Sequence, residues 1–159
     1  MKILFLDIDG VLNSWRYDQE RISLQDNIDE TRLPLLSRIV SSTNAKIVLT
    51  SSWRKHWERD SRKADSIGQH LNQLFGEHGL AIFDKTLESS DNNRTDEIRN
   101  WLANNSVEQF VIIDDIVFGW DELESYLVKT NYRIGRGLHD FHVSQAISIL
   151  TGIIQGIPV

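Results

Sequence analysis

Residues 3–6 form an unbroken apolar run that ends on Asp7, with Asp9 two positions later and Gly10 after it. A run without alternation reads as a strand buried on both faces. Two more such runs follow, residues 45–50 and 110–115. The first ends on Thr50, Ser51 and Ser52, the second on Asp114 and Asp115. Residues 80–83 form a shorter strand candidate and 131–134 a weaker one. Between the strands, apolar residues recur at helical spacing. Residues 28–41 place Ile28, Leu33, Leu36, Ile39 and Val40 near one face, with Pro34 marking either a first turn or a kink. Residues 64–75 carry Ile67, Leu71, Leu74 and Phe75, with Gly76 as a stop. Residues 95–105 carry Ile98, Trp101 and Leu102 behind Thr95 as N-cap. Residues 140–150 are built on Phe141, Val143, Ala146, Ile147 and Leu150. Residues 13–29 and 85–94 sustain no period and read as loops, and 120–127 as a short helix or turn.

Strands alternating with helices predict an α/β fold: a three-layer, Rossmann-like parallel sheet with helices on both faces. Sites in such sheets form beyond the carboxyl ends of the strands. Three predicted strand ends carry polar chemistry there: Asp7 with Asp9, Thr50 with Ser51, and Asp114 with Asp115.

Length and composition bound this picture. A chain of 159 residues predicts one domain over 1–159, with 152–159 as a loosely attached tail. Without cysteine there is no disulfide, zinc-thiolate site or thiol nucleophile. The opening apolar run stops at Asp7, too early for a signal peptide, and no later run spans a bilayer. The expectation is a soluble, cytoplasmic protein with no membrane partner. A net charge of −6 argues against a surface that clamps nucleic acid throughout. Locally the balance reverses. Residues 53–63 hold five basic side chains (Arg54, Lys55, Arg59, Arg62, Lys63) against Glu58 and Asp60.

Carboxylates at buried strand ends are costly unless something positive neutralises them. Hard divalent cations take oxygen ligands, so Asp7, Asp9, Asp114 and Asp115 predict a magnesium site. Thr50 or Ser51, with the amides after them, can donate to phosphate oxygens. A cation should reach the same phosphate; Arg94, which precedes a helix, is the first candidate and Lys85 the second.

The segment Asp7-Ile8-Asp9-Gly10-Val11-Leu12 resembles the DxDGxL signature of the haloacid dehalogenase-like (HAD) hydrolase superfamily. Ile47-Val48-Leu49-Thr50 resembles its second motif and Ile112-Ile113-Asp114-Asp115 its fourth. The phrases Leu49-Thr50-Ser51-Ser52-Trp53-Arg54 and Glu97-Ile98-Arg99-Asn100-Trp101-Leu102 are similar to a compact subgroup that includes domains of RNA-repair proteins. The resemblance implies a magnesium-dependent phosphatase working through an aspartyl-phosphate. Asp7 would be the nucleophile and Asp9 the general acid and base. The Asp7 carboxylate, the Asp9 carbonyl and Asp115 would hold magnesium, with Asp114 adjacent or water-bridged. Thr50 or Ser51 would hold the phosphoryl group, together with the Lys or Arg of the third motif, for which Lys85, Arg94 and Arg99 compete.

Members of this superfamily often close over small substrates with a cap domain. Residues 13–29 are too few for a helical cap, and residues 53–94 are used by a helix and a strand, so no large cap is expected. An open site suits bulky substrates, here a nucleic-acid end phosphate or a nucleotide. Trp53, Arg54 and Trp57 are candidate substrate contacts by stacking and charge, or else one face of an ordinary solvated helix. The competing readings are a receiver-like phosphoacceptor domain and a non-catalytic nucleic-acid- or protein-binding module on the same fold.

Overall fold

The computed structural model describes residues 1–14, 27–116, 119–132 and 137–153. Five strands form one parallel sheet: β1 (Lys2–Leu6), β2 (Lys46–Leu49), β3 (Ile82–Lys85), β4 (Gln109–Asp114) and β5 (Leu127–Lys129). Their order is β3-β2-β1-β4-β5. Four helices accompany them among the described residues: α1 (Leu33–Thr43), α2 (Ser66–Glu77), α3 (Arg94–Ala103) and α4 (Asp140–Thr151).

The chain steps outward from β1 to β3, then returns to β4 on the other side of β1. Right-handed crossovers therefore send α1 and α2 to one face and α3 to the other. Alternation along β1 shows both layers. Leu4 and Leu6 share a cluster with Leu36 of α1, Leu71 of α2 and Val143 of α4. Ile3 and Phe5 share the opposite cluster with Ile98 and Trp101 of α3. The expected α/β architecture is thus present, and no large cap interrupts the described residues. None of the described helices is long and apolar enough to cross a membrane.

Several boundaries differ from expectation for local reasons. The first helix starts at Leu33 rather than 28. Asp29 caps a 3-10 turn (Glu30–Arg32) ahead of it, and Pro34 sits in the first helical turn, where its missing N–H costs nothing. Gly76 does not stop α2, which continues through Glu77; Gly79, at φ 69°, takes the left-handed position beyond it. Asn93 caps α3 in place of Thr95, accepting from the amides of Thr95 and Asp96. The fifth strand lies at Leu127–Lys129; of the weaker strand expected at 131–134, residues 133 and 134 lie outside the described residues. Phe141 is 66% exposed rather than core. The loop expected at 13–29 falls mostly, at 15–26, outside the described residues, as do 133–136 and the tail from 154.

One irregularity matters for the site. Ile47 pairs with Ile82 but Val48 pairs with Asp84, so Phe83 is an extra residue in β3. The bulge absorbs it, so Asp84 and Lys85 take the faces of Val48 and Leu49, opposite to those that unbroken alternation from Ile82 would give them.

Candidate active site

Leu6 of β1 lies opposite Leu49 of β2 and Ile113 of β4. The next residues, Asp7, Thr50 and Asp114, therefore stand side by side at the carboxyl edge. The ladder continues through them. Asp7 N donates to Ile113 O and Thr50 N to Leu6 O, both at 3.0 Å. Strand alternation sets their direction. Asp7 follows the parity of Phe5, Thr50 that of Val48, and Asp114 that of Ile112, and all three apolar residues pack in the layer under α3. Helix α3 begins with Arg94, so its first side chain emerges on the face where the acids point.

Arg94 Nη1 lies 2.9 Å from Asp7 Oδ2 and 2.5 Å from Asp114 Oδ2. The other oxygen of each acid is held by backbone: Asp7 Oδ1 accepts from Ile8 N at 2.8 Å and Asp114 Oδ1 from Ile116 N at 2.9 Å. Asp7, Asp114 and Asp115 each present a carboxylate oxygen within 4.8 Å of the others. Burial, then the charge of Asp7, pushes the Asp114 and Asp115 carboxyls up to about 6. Burial opposes the charge of Arg94, but Asp7 and Asp114 outweigh it and raise the guanidinium above its ordinary range. Three crowded carboxylates against one guanidinium leave negative charge to be met. The all-oxygen donor set fits a hard divalent cation.

Beside them, the Thr50 hydroxyl is buried with no hydrogen-bond partner. A buried hydroxyl without a partner is expensive and is satisfied when an acceptor such as a phosphoryl oxygen arrives. Ser51 is also buried, but its hydroxyl accepts from Trp53 N at 3.3 Å and caps the 3-10 turn Ser52–Lys55.

Of the three cations proposed for the third motif, Arg94 alone reaches the acids. The extra residue in β3 turns Lys85 to the opposite face. There its Nζ donates to the carbonyls of Arg54 (3.1 Å) and Trp57 (2.7 Å) and pairs with Glu58 (3.0 Å). Arg99 lies on the surface with Asp96, Asp121 and Glu122.

Asp9 stands apart from the acid cluster. Its Oδ1 accepts from Asn13 Nδ2 at 2.8 Å, and Trp53 Nε1 donates to Oδ1 at 3.2 Å and to Oδ2 at 3.3 Å. Asn13 Oδ1 in turn accepts from Gly10 N at 2.8 Å, closing the turn. Gly10 has φ 77°, and a Cβ there would lie 2.4 Å from Asp115 Oδ2. Glycine lets β1's turn pass directly beneath the fourth-motif acid.

The residues considered for substrate contact face inward. Trp53 and Trp57 are 4% and 3% exposed, and Trp57 Nε1 donates to Asn72 at 2.9 Å. Arg54 is buried against Glu97 of α3, with Nη1 to Oε2 at 2.8 Å and Nη2 to Oε1 at 3.0 Å. In this arrangement neither indole offers a face for stacking. Lys55, Arg59, Arg62 and Lys63 of the same stretch are exposed. Sequence reasoning missed Asn13 and Glu97. Nothing in a run of hydropathy marks Asn13, and an acid in a first helical turn reads as a partner for the helix dipole.

A family model described as "HAD domain in Swiss Army Knife RNA repair proteins" matches residues 3–143, a span that includes every residue of the site. No curated protein and no solved structure gives a significant match.

Proposed function

Because this chain belongs to the family of HAD domains in Swiss Army Knife RNA repair proteins, we propose that it is a magnesium-dependent phosphatase acting on phosphorylated nucleic-acid ends or nucleotides. The observation that carries this reading is Arg94, set between Asp7 and Asp114 beside the unpartnered Thr50 hydroxyl. A nucleophile, a guanidinium and a free donor converge where one phosphoryl group could touch all three.

An oxygen of Asp7 bonds to phosphorus as the bond from phosphorus to the leaving oxygen breaks. Asp9 gives its proton to that leaving oxygen. In the second step Asp9 takes a proton from water, whose oxygen bonds to phosphorus. The bond from phosphorus to Asp7 breaks, and free phosphate and the original carboxylate result. Arg94 and Thr50 hold the phosphoryl oxygens throughout. Asp7, Asp115 and the Asp9 carbonyl would hold magnesium, with Asp114 adjacent. When bound, it would neutralise carboxylates and phosphoryl oxygens so that an anion can approach an anionic site.

Two features support a nucleic-acid substrate: no large cap occurs among the described residues, and the cations Lys55, Arg59, Arg62 and Lys63, which follow Thr50 in the chain, are exposed. The test is phosphate release from 5′- and 3′-phosphorylated oligonucleotides and from nucleotides, with and without magnesium. Wild-type turnover that needs magnesium and vanishes in Asp7→Asn is expected. Robust turnover by Asp7→Asn would sink Asp7 as nucleophile.

A further inference from the structure

Trp53 lies in the turn after the Thr50 strand end, and its ring belongs to the same apolar cluster as Ile8, Leu12 and Leu49. Ser51 fixes the start of that turn through the Trp53 amide. The indole is therefore held rigidly, and its one N–H is directed at Asp9, 44 residues earlier in the chain. Asn13, itself locked by the Gly10 amide and the Asn27 carbonyl, supplies a second donor to Asp9. An aspartate side chain otherwise samples several rotamers. Two donors on fixed supports remove that freedom.

Given that Asp9 is the acid and base of a phosphatase, we propose that Trp53 is its positioning residue. The indole N–H holds the Asp9 carboxyl in the orientation from which its proton reaches the leaving oxygen. The need for that proton depends on the leaving group. An alkoxide, as from a ribose, leaves only if protonated. A nitrophenolate leaves as the anion. Loss of positioning therefore slows alkyl esters selectively, whereas a loss of packing slows every ester alike.

The experiment measures kcat/KM, which reports the first phosphoryl transfer, for a series of phosphomonoesters from 4-nitrophenyl to alkyl. Wild type, Trp53→Phe and Asp9→Asn are compared. A fourth protein carries benzothienylalanine at position 53, which keeps the ring shape and replaces N–H by sulfur. General acid catalysis contributes about 10²- to 10⁴-fold. Trp53→Phe and the sulfur isostere should each lose about thirtyfold on the alkyl ester and under about threefold on 4-nitrophenyl phosphate, a smaller copy of the Asp9→Asn pattern. Equal losses across the series overturn the positioning role while leaving the phosphatase standing. Absence of wild-type turnover on any ester overturns both. If melting shows that Trp53→Phe does not fold, the isostere decides the question.

Discussion

Arg54 and Glu97 form a buried, two-point ion pair between the loop after β2 and the first turn of α3. The same guanidinium donates to the Thr50 carbonyl at 2.7 Å and the Thr86 hydroxyl at 3.1 Å, and Glu97 also accepts from Ser89 N at 2.9 Å. The two loops after β2 and β3 are thus pinned to the first turn of α3, three residues from Arg94. Removing one partner strands a buried charge. Glu97→Ala should lower stability in urea by about 3 kcal/mol or more. The double variant Arg54→Met/Glu97→Leu should recover most of that stability without recovering phosphate release. Full activity in the double variant would show that the pair does not position Arg94.

Arg94 and Lys85 should separate cleanly. Arg94→Ala removes the group between Asp7 and Asp114 and should lower kcat/KM about 10²- to 10³-fold, as loss of a charge-stabilising donor does. Lys85→Ala frees three acceptors in the loop of Arg54, Trp57 and Glu58. It should cost about 1–2 kcal/mol in denaturation and change kcat/KM far less. The reverse ranking would mean that Lys85 is the third-motif cation.

Gly10→Ala would place a methyl where Asp115 now sits, on a backbone at φ 77°. The backbone strain costs about 1–2 kcal/mol, and Asp115 must turn away. Calorimetric titration should then show magnesium affinity weakened by about tenfold or more, since a carboxylate ligand has moved. Unchanged affinity would remove Asp115 from the ligand set.

The raised carboxyls give a pH signature. Asp114 and Asp115 sit at about 6, above the 3.8 of a free aspartate. Between those values the folded metal-free protein keeps protons that the unfolded chain has released. Stability from this source is therefore greatest at low pH and falls as pH rises through about 6. Magnesium requires the ionised ligands, so its affinity moves the other way, strengthening from pH 5.5 to 7.5 by about tenfold or more. Melting curves at both pH values, with and without magnesium, should show stabilisation by the metal that is small at pH 5.5 and large at pH 7.5. Equal stabilisation at the two pH values would place the metal elsewhere.

The buried strands and the carboxyl-edge clustering were legible in the sequence, because continuous apolar runs ending on Asp7, Thr50 and Asp114 leave few alternatives. Fold class followed from the same alternation. For the cation, the sequence ranked Arg94 first, as the residue preceding a helix, but did not decide it. Lys85 and Arg94 bracket one loop, and choosing between them needs the pairing of β3. The two tryptophans were also ambiguous, since spacing of four residues cannot say whether a face looks outward or inward. Only the tertiary partners, Asp9 for Trp53 and Asn72 for Trp57, decide it.

Phe83 acts as a phase shift of one residue in an otherwise regular lattice. Deleting it would leave Asp84 opposite Val48 and Lys85 opposite Leu49, on the faces they hold now; keeping it in unbroken alternation would instead carry Lys85 level with Thr50, toward Asp7 and Asp114, and turn Asp84 away from Trp101. The identity of the cation facing the acids is thus stored in whether the edge strand bulges at Phe83. Smoothing out the bulge with Phe83 retained would bring a lysine on a strand to the face of an arginine on a helix without altering either side chain.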